Sequence, residues 1–346
     1  MTSCARRRVA ACALVALGLG AGACVEGSSG ARPAEAPGAC APGAPCAVPC
    51  PAPGCVPAPP GPGPAPAGPG PIAPGAPPLP PGRDPIGALD VAWMRARALV
   101  ILAELVAALP PERGARVAGI PLVVDDRPGE VNAYAACSTS GKAAMAISDG
   151  LLEVQAWLAQ CKATDETFGT RTTPAYIALI AREQRPGQPL VRPPAGFFAP
   201  EHRADARKLA RQARLFEEQV AFVLGHELAH HHLGHLPCTG NGGLSPGEIG
   251  GLLGSAVPLL NQPNELAADV WGVDDTLAAG ARRADAGWTE GGALLNMEFF
   301  AGLDSASPID VLFGFERTHP PPALRAPVIQ QAAAAFRLTG GQYPLF

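Results

Sequence analysis

The chain has 346 residues, 41 of them proline and 41 glycine, with 16% charged residues and a net charge of -4 at pH 7. So weak a charge, with few basic clusters, gives no support to a nucleic-acid-binding role, which needs a concentrated positive face. The length exceeds what one compact core holds, so part of the chain is expected outside the folded domain.

Arg6-Arg7-Arg8 precedes an uncharged apolar run from Val9 to Ala23. That run is too short to span a bilayer and has the form of a signal-peptide core, placing a targeting segment at 1–23. It closes on Ala21-Gly22-Ala23-Cys24, which admits two fates. Ordinary cleavage after Ala23 would release the protein to the periplasm. Alternatively Cys24 is lipidated and anchors the chain to a membrane, as at a bacterial lipobox. The second is favoured, because the cysteine stands where lipidation requires it and a long tether follows. Val25 in place of an aspartate points to the periplasmic face of the outer membrane.

Residues 24–83 are almost wholly Pro, Ala, Gly and Cys. A tract of this kind buries little apolar surface and is expected to be a disordered, semi-stiff spacer; a low-complexity tract without a specific role reads equally well. Cys40, Cys46, Cys50 and Cys55 lack paired C-x-x-C hooks, so local disulfides are expected rather than a zinc ribbon. The folded domain is expected over 84–346. An amphipathic helix is read over 88–109, closed by Pro110-Pro111. Strands are read over 117–124 and 131–136, with Asp126-Arg127-Pro128-Gly129 as the turn between them. Ser148 or Asp149 can cap a helix reaching about 160. Of Cys137, Cys161 and Cys238, at most one pair can form, and the sequence does not choose it.

Leu209, Phe216, Val220 and Val223 recur at helical spacing, and Glu217 and Glu218 lie outside that stripe. The helix so marked runs into His226-Glu227-Leu228-Ala229-His230, an H-E-x-x-H motif. Two histidines four apart sit about 40° apart around a helix, so both imidazoles can reach one ion, and Glu227 beside them can take a proton from a water the ion activates. By the same geometry His231 and His232, about 140° and 240° round, are expected to cap the helix end or face solvent, and His235, about 180° round, to point away. Leu233 and Leu236 replace the Gly and His that a metzincin needs. Downstream, Glu265 and Asp269 are again four apart. They suit a site of two histidines and a glutamate, with Asp269 accepting a hydrogen bond from a ligating imidazole.

These pieces resemble the M48-type gluzincins, zinc peptidases linked to membranes and the periplasm. Val131-Asn132-Ala133-Tyr134-Ala135 resembles the family's N-A-[FY]-A strand, and Ile147-Ser148-Asp149-Gly150-Leu151-Leu152 its strand leading into a G-L-L helix. Val223 to His230 resembles the active-site helix, Glu265 to Asp269 the E-x-x-A-D helix, and Thr318-His319-Pro320-Pro321 with Arg325 the T-H-P…R element. The resemblance implies an α+β, mainly helical zincin-like fold with a small antiparallel sheet beside the active-site helix. It implies one Zn2+ held by His226, His230 and Glu265, with Glu227 as general base, Asp269 behind the ligands and His319 as oxyanion donor. Asn132 and Ala133 would hold an extended polypeptide substrate. The expected activity is endopeptidase cleavage of unfolded or misassembled envelope proteins. The alternatives are a catalytically silent binding lipoprotein and a His-rich metal-binding one; a single tightly held zinc per chain separates a peptidase from metal storage. The chain departs from a minimal member between Cys161 and Arg214, where an insertion is expected over or beside the cleft.

Overall fold

The computed structural model describes residues 83–254, 262–284, 287–306 and 319–341, all within the unit Pro64–Phe346. The expected signal segment, Cys24, the four cysteines of the Pro-rich tract and Thr318 lie outside the described residues.

Helix α1 (Val91–Ala108) starts where the Asp90 side chain accepts from Trp93 N, and α2 (Pro111–Val117) starts on the proline that follows. Strands β1 (Leu122–Asp125), β2 (Ala133–Cys137) and β3 (Ala143–Ser148) come next, then α3 (Asp149–Phe168), capped by Ser148 and closed by Gly169 in the left-handed region. The chain continues through α4 (Thr172–Glu183), α5 (Ala206–His232), α6 (Pro246–Gly254), α7 (Gln262–Ala281), α8 (Gly291–Ala306) and α9 (Pro322–Thr339). The domain is mainly helical with one small sheet, an α+β zincin-like arrangement.

The sheet differs from the antiparallel one expected. Its order is β1-β3-β2, with β3 antiparallel to β2 but parallel to β1, so β1 and β2 do not pair. The Asp126 to Gly129 segment is therefore a connection rather than a hairpin turn. Residues 111–117 fold as α2, because Pro111 can begin a helix and Glu112 and Arg116 suit its two ends.

Helix α5 packs against α1, α3, α7 and α8 at the centre of the main core. Phe216, Val220, Ala221 and Leu224 are fully buried on it, each large side chain contributing about 1.5–3 kcal/mol. Glu217 and Glu218 do not mark a solvent face. Glu218 is wholly buried and accepts from Thr289 N and Oγ1, and Glu217 accepts from Arg97 Nε at 2.7 Å. Helix α6 covers the other face of the sheet. There Leu252 meets Val123, Tyr134, Ala136, Ala144 and Ala146, and Tyr134 Oη donates to Leu252 O. A disulfide joins Cys137, at the end of β2, to Cys238 after α5, leaving Cys161 as a buried thiol. The insertion forms α4 and a loop that runs along α3, placing Gln188 against Gly129, Arg192 on Glu153 and Phe198 on Trp157.

Candidate metal centre

Two glycines bring the site together. A Cβ on Gly272 of α7 would lie 2.8 Å from His226 N, and one on Gly225 of α5 would lie 3.0 Å from Gly272 O. Only hydrogen fits at that crossing, so the two backbones touch. Glu265, Asp269, Gly272 and Thr276 recur along the α7 stripe that faces α5, which carries both carboxylates to the histidines.

His226 Nε2 stands 3.1 Å from His230 Nε2 and 3.3 Å from Glu265 Oε2, and His230 Nε2 is 3.6 Å from Glu265 Oε1. Donors about 2.0–2.1 Å from a tetrahedral zinc lie about 3.3 Å from one another, so these spacings fit the ion. Glu265 Oε2 and Glu227 Oε1 are buried without a hydrogen-bond partner, as carboxylate oxygens directed at a cation would be. His319 Nε2 comes within 3.5 Å of Glu265 Oε2 and 3.9 Å of Glu227 Oε1, so its imidazole joins His226 and Glu265 in a group of donors that could itself hold an ion.

Behind the ligands, Asp269 Oδ1 is 3.1 Å from His226 Nδ1. Arg325 of α9, itself 1% exposed, donates to both oxygens of Asp269 at 2.9 and 2.7 Å. Burial alone would raise the Asp269 carboxyl, but Arg325 and His226 hold it well below the ordinary carboxylate range. Burial likewise opposes the charged form of His226, yet the hydrogen bond to Asp269 and the adjacent Glu265 carboxylate outweigh it and push its pKa up to about 9. Metal binding must release that proton, since a ligating imidazole is neutral. Burial pushes Glu227 up to about 7, His226 opposing and Glu265 adding to the rise. A base poised there suits proton transfer near neutrality.

Residues 102–239 match the model of peptidase family M48. Over that segment the chain is similar to M48-type metallopeptidases. No curated protein and no solved structure matches it. The match takes in the H-E-x-x-H helix and ends at Thr239. Glu265, Asp269, His319 and Arg325 lie beyond the matched segment and reach the site through the packing of α7 and α9.

Three histidines stand elsewhere than helical extrapolation placed them. His235 does not point away: its Nδ1 is 2.9 Å from His230 Nδ1. The helix stops at His232, Gly234 takes φ 74°, and His235 N donates to His230 O, which folds the chain back. His232 neither caps nor faces solvent; it is buried, 3.0 Å from Asp275 Oδ2. His231 Nε2 reaches Ala144 O of β3 at 3.0 Å. Gly234 was the available signal for His235, being the residue type that ends helices. Arg325 was visible only as part of a motif, without a role.

The substrate strand also needs a correction. Both main-chain groups of Asn132 are taken by β3: its N–H donates to Ser148 Oγ and its carbonyl accepts from Ser148 N, each at 2.9 Å. Asn132 therefore has no main-chain group for strand addition, and only its buried carboxamide oxygen lacks a partner. By antiparallel alternation, Ala133 and Ala135 direct their backbone groups away from β3 along the outer edge of β2. Ala135 lies against Glu227, to which its N–H donates.

Proposed function

We propose that the protein is a zinc-dependent endopeptidase whose metal is held by His226, His230 and Glu265. The observation that carries this is the convergence of both imidazole Nε2 atoms and the Glu265 carboxylate within 3.1–3.6 Å of one another, beside the buried carboxylate of Glu227. When bound, zinc supplies an electrophile that acidifies water and polarises a peptide carbonyl. Glu227 removes the proton of the attacking water and returns it to the leaving amine, its raised pKa suiting both directions of transfer. His319 donates to the carbonyl oxygen as charge develops there. Asp269, fixed by Arg325, accepts from His226 Nδ1 and so keeps Nε2 turned toward the ion. An extended polypeptide pairs with the outer edge of β2 at Ala133 and at the Ala135 carbonyl, the Ala135 N–H being held by Glu227.

The same reading places the enzyme in a bacterial envelope, anchored by lipid on Cys24 at the periplasmic face of the outer membrane, with unfolded or misassembled proteins as substrates. The Cys137–Cys238 disulfide supports an oxidising compartment. Among the described residues no helix is long and apolar enough to cross a membrane. Digestion of casein by residues 84–346, with and without chelator, tests the activity. Glu227→Gln is expected to keep stoichiometric zinc and the folded state while losing about 100-fold or more of the rate, the range that a general base contributes. Turnover within tenfold of wild type would remove Glu227 from that role.

A further inference from the structure

A second site lies at the other end of α5. Lys208 and His226 are 18 residues apart on this helix, roughly 27 Å at about 1.5 Å per residue. A cavity of about 440 Å³ opens there, large enough for a small organic molecule. One wall is aromatic: Trp157 and the insertion residue Phe198 stand nearly parallel, with ring centroids 6.3 Å apart. Its polar lining includes Lys208, Arg203 and Asp84.

Lys208 decides the chemistry. It is 4% exposed, and among the described residues the one hydrogen bond of its ammonium is donated to Gln212 Oε1. An ammonium has three donors, so two remain for a ligand. Asp84 does not neutralise it directly, because Gln212 stands between them: Gln212 Nε2 donates to Asp84 Oδ1 at 2.8 Å, and Gly87 N donates to the same oxygen. Arg203 is exposed at the mouth. Two cations opposite one engaged carboxylate leave room for a single negative charge, not a phosphate dianion, and the indole and phenyl faces offer an apolar surface to the rest of the ligand.

We propose that this cavity binds a small organic carboxylate with an apolar or aromatic body, its acid group on Lys208 and its body against Trp157 and Phe198. The site is independent of the metal centre. Calorimetric titration of the full-length protein with phenylacetate, neutral phenylacetamide and cationic phenethylamine tests it. Phenylacetate is expected to bind once per chain, at least about tenfold more tightly than the amide, a difference of about 1.4 kcal/mol. Lys208→Met should lose this binding. Should that variant fail to fold by circular dichroism, Arg203→Ala and Phe198→Ser, at exposed and half-buried loop positions, should each weaken binding at least threefold. Phenylacetate binding that persists unchanged in these variants would mark an acid taken up elsewhere, the catalytic histidines included, and would overturn the proposal. Equal affinity for the amide, preference for the amine, or no binding by any of the three would do the same.

Discussion

His235 stands directly behind one of the proposed ligands, and what it contributes there can be measured. Its Nδ1 meets His230 Nδ1, so it orients one of the proposed ligands from behind. Partners of this kind typically contribute about 10–100-fold to metal affinity. His235→Ala is therefore expected to weaken zinc binding by about tenfold in competition with a chromophoric chelator, whereas helical extrapolation expects no change; unaltered affinity would return His235 to a bystander. The pairs at i and i+4, His226 with His230 and Glu265 with Asp269, were legible because helical geometry is local. Arg325 and His235 were not, because one acts across 56 residues of chain and the other depends on where a helix stops. Asp274 offers a test of electrostatics away from the metal. Burial, with Asp275 adding and Arg113 opposing, pushes its carboxyl from 3.8 up to about 7, and one of its oxygens lacks a hydrogen-bond partner. A raised acid stabilises the fold fully below its unfolded pKa, and that contribution is lost as pH rises toward 7. Asp274→Asn should thus raise stability above pH 7, by an amount on the order of 1–3 kcal/mol, and leave it unchanged near pH 3. Urea unfolding at the two pH values checks the sign.

At the scale of elements, the crossing of α5 and α7 is what turns two separate motifs into one site. Gly272→Ala would push a methyl to 2.8 Å from His226 N, where backbone cannot yield cheaply. Overpacking of this kind costs about 1–3 kcal/mol, so the variant should melt at lower temperature. It should also hold zinc more weakly, because Glu265 moves with α7. A lower melting temperature with unchanged zinc affinity would mean that Glu265 is placed by other contacts. The helix capped by Ser148 and the one that carries His226 were legible, from a capping residue and from apolar spacing, but α4 inside the insertion was not. Strand pairing was not. The Asp-Arg-Pro-Gly segment carries the composition of a turn, yet β3 inserts between the strands it joins, and nothing local in the sequence specifies that partner. The close approach of Gln188 to Gly129 shows the same thing, the insertion packing where no sequence pattern announced it.

At the scale of the whole molecule, the division between a Pro-rich tract and a folded peptidase domain rests on composition, and the proposed anchor can be tested apart from the catalysis. Three arginines, a short uncharged apolar run and Ala-Gly-Ala-Cys precede a tract with little capacity to bury apolar surface. A single acyl chain holds a protein on a membrane only marginally, so a lipoprotein needs the multiple chains carried by a modified N-terminal cysteine. Removing that cysteine should therefore change location without touching the metal centre, which is built from residues beyond 200. Cys24→Ser is expected to move the full-length protein into the soluble periplasmic fraction or to block its processing, as read by membrane fractionation and intact mass. Casein hydrolysis by the purified domain from residue 84 should equal that of the anchored enzyme per mole of zinc, because the proposed ligands and Glu227 all lie beyond residue 200. A Cys24→Ser protein that matures and fractionates as wild type does would establish ordinary cleavage after Ala23, and the peptidase would then be a freely diffusing one.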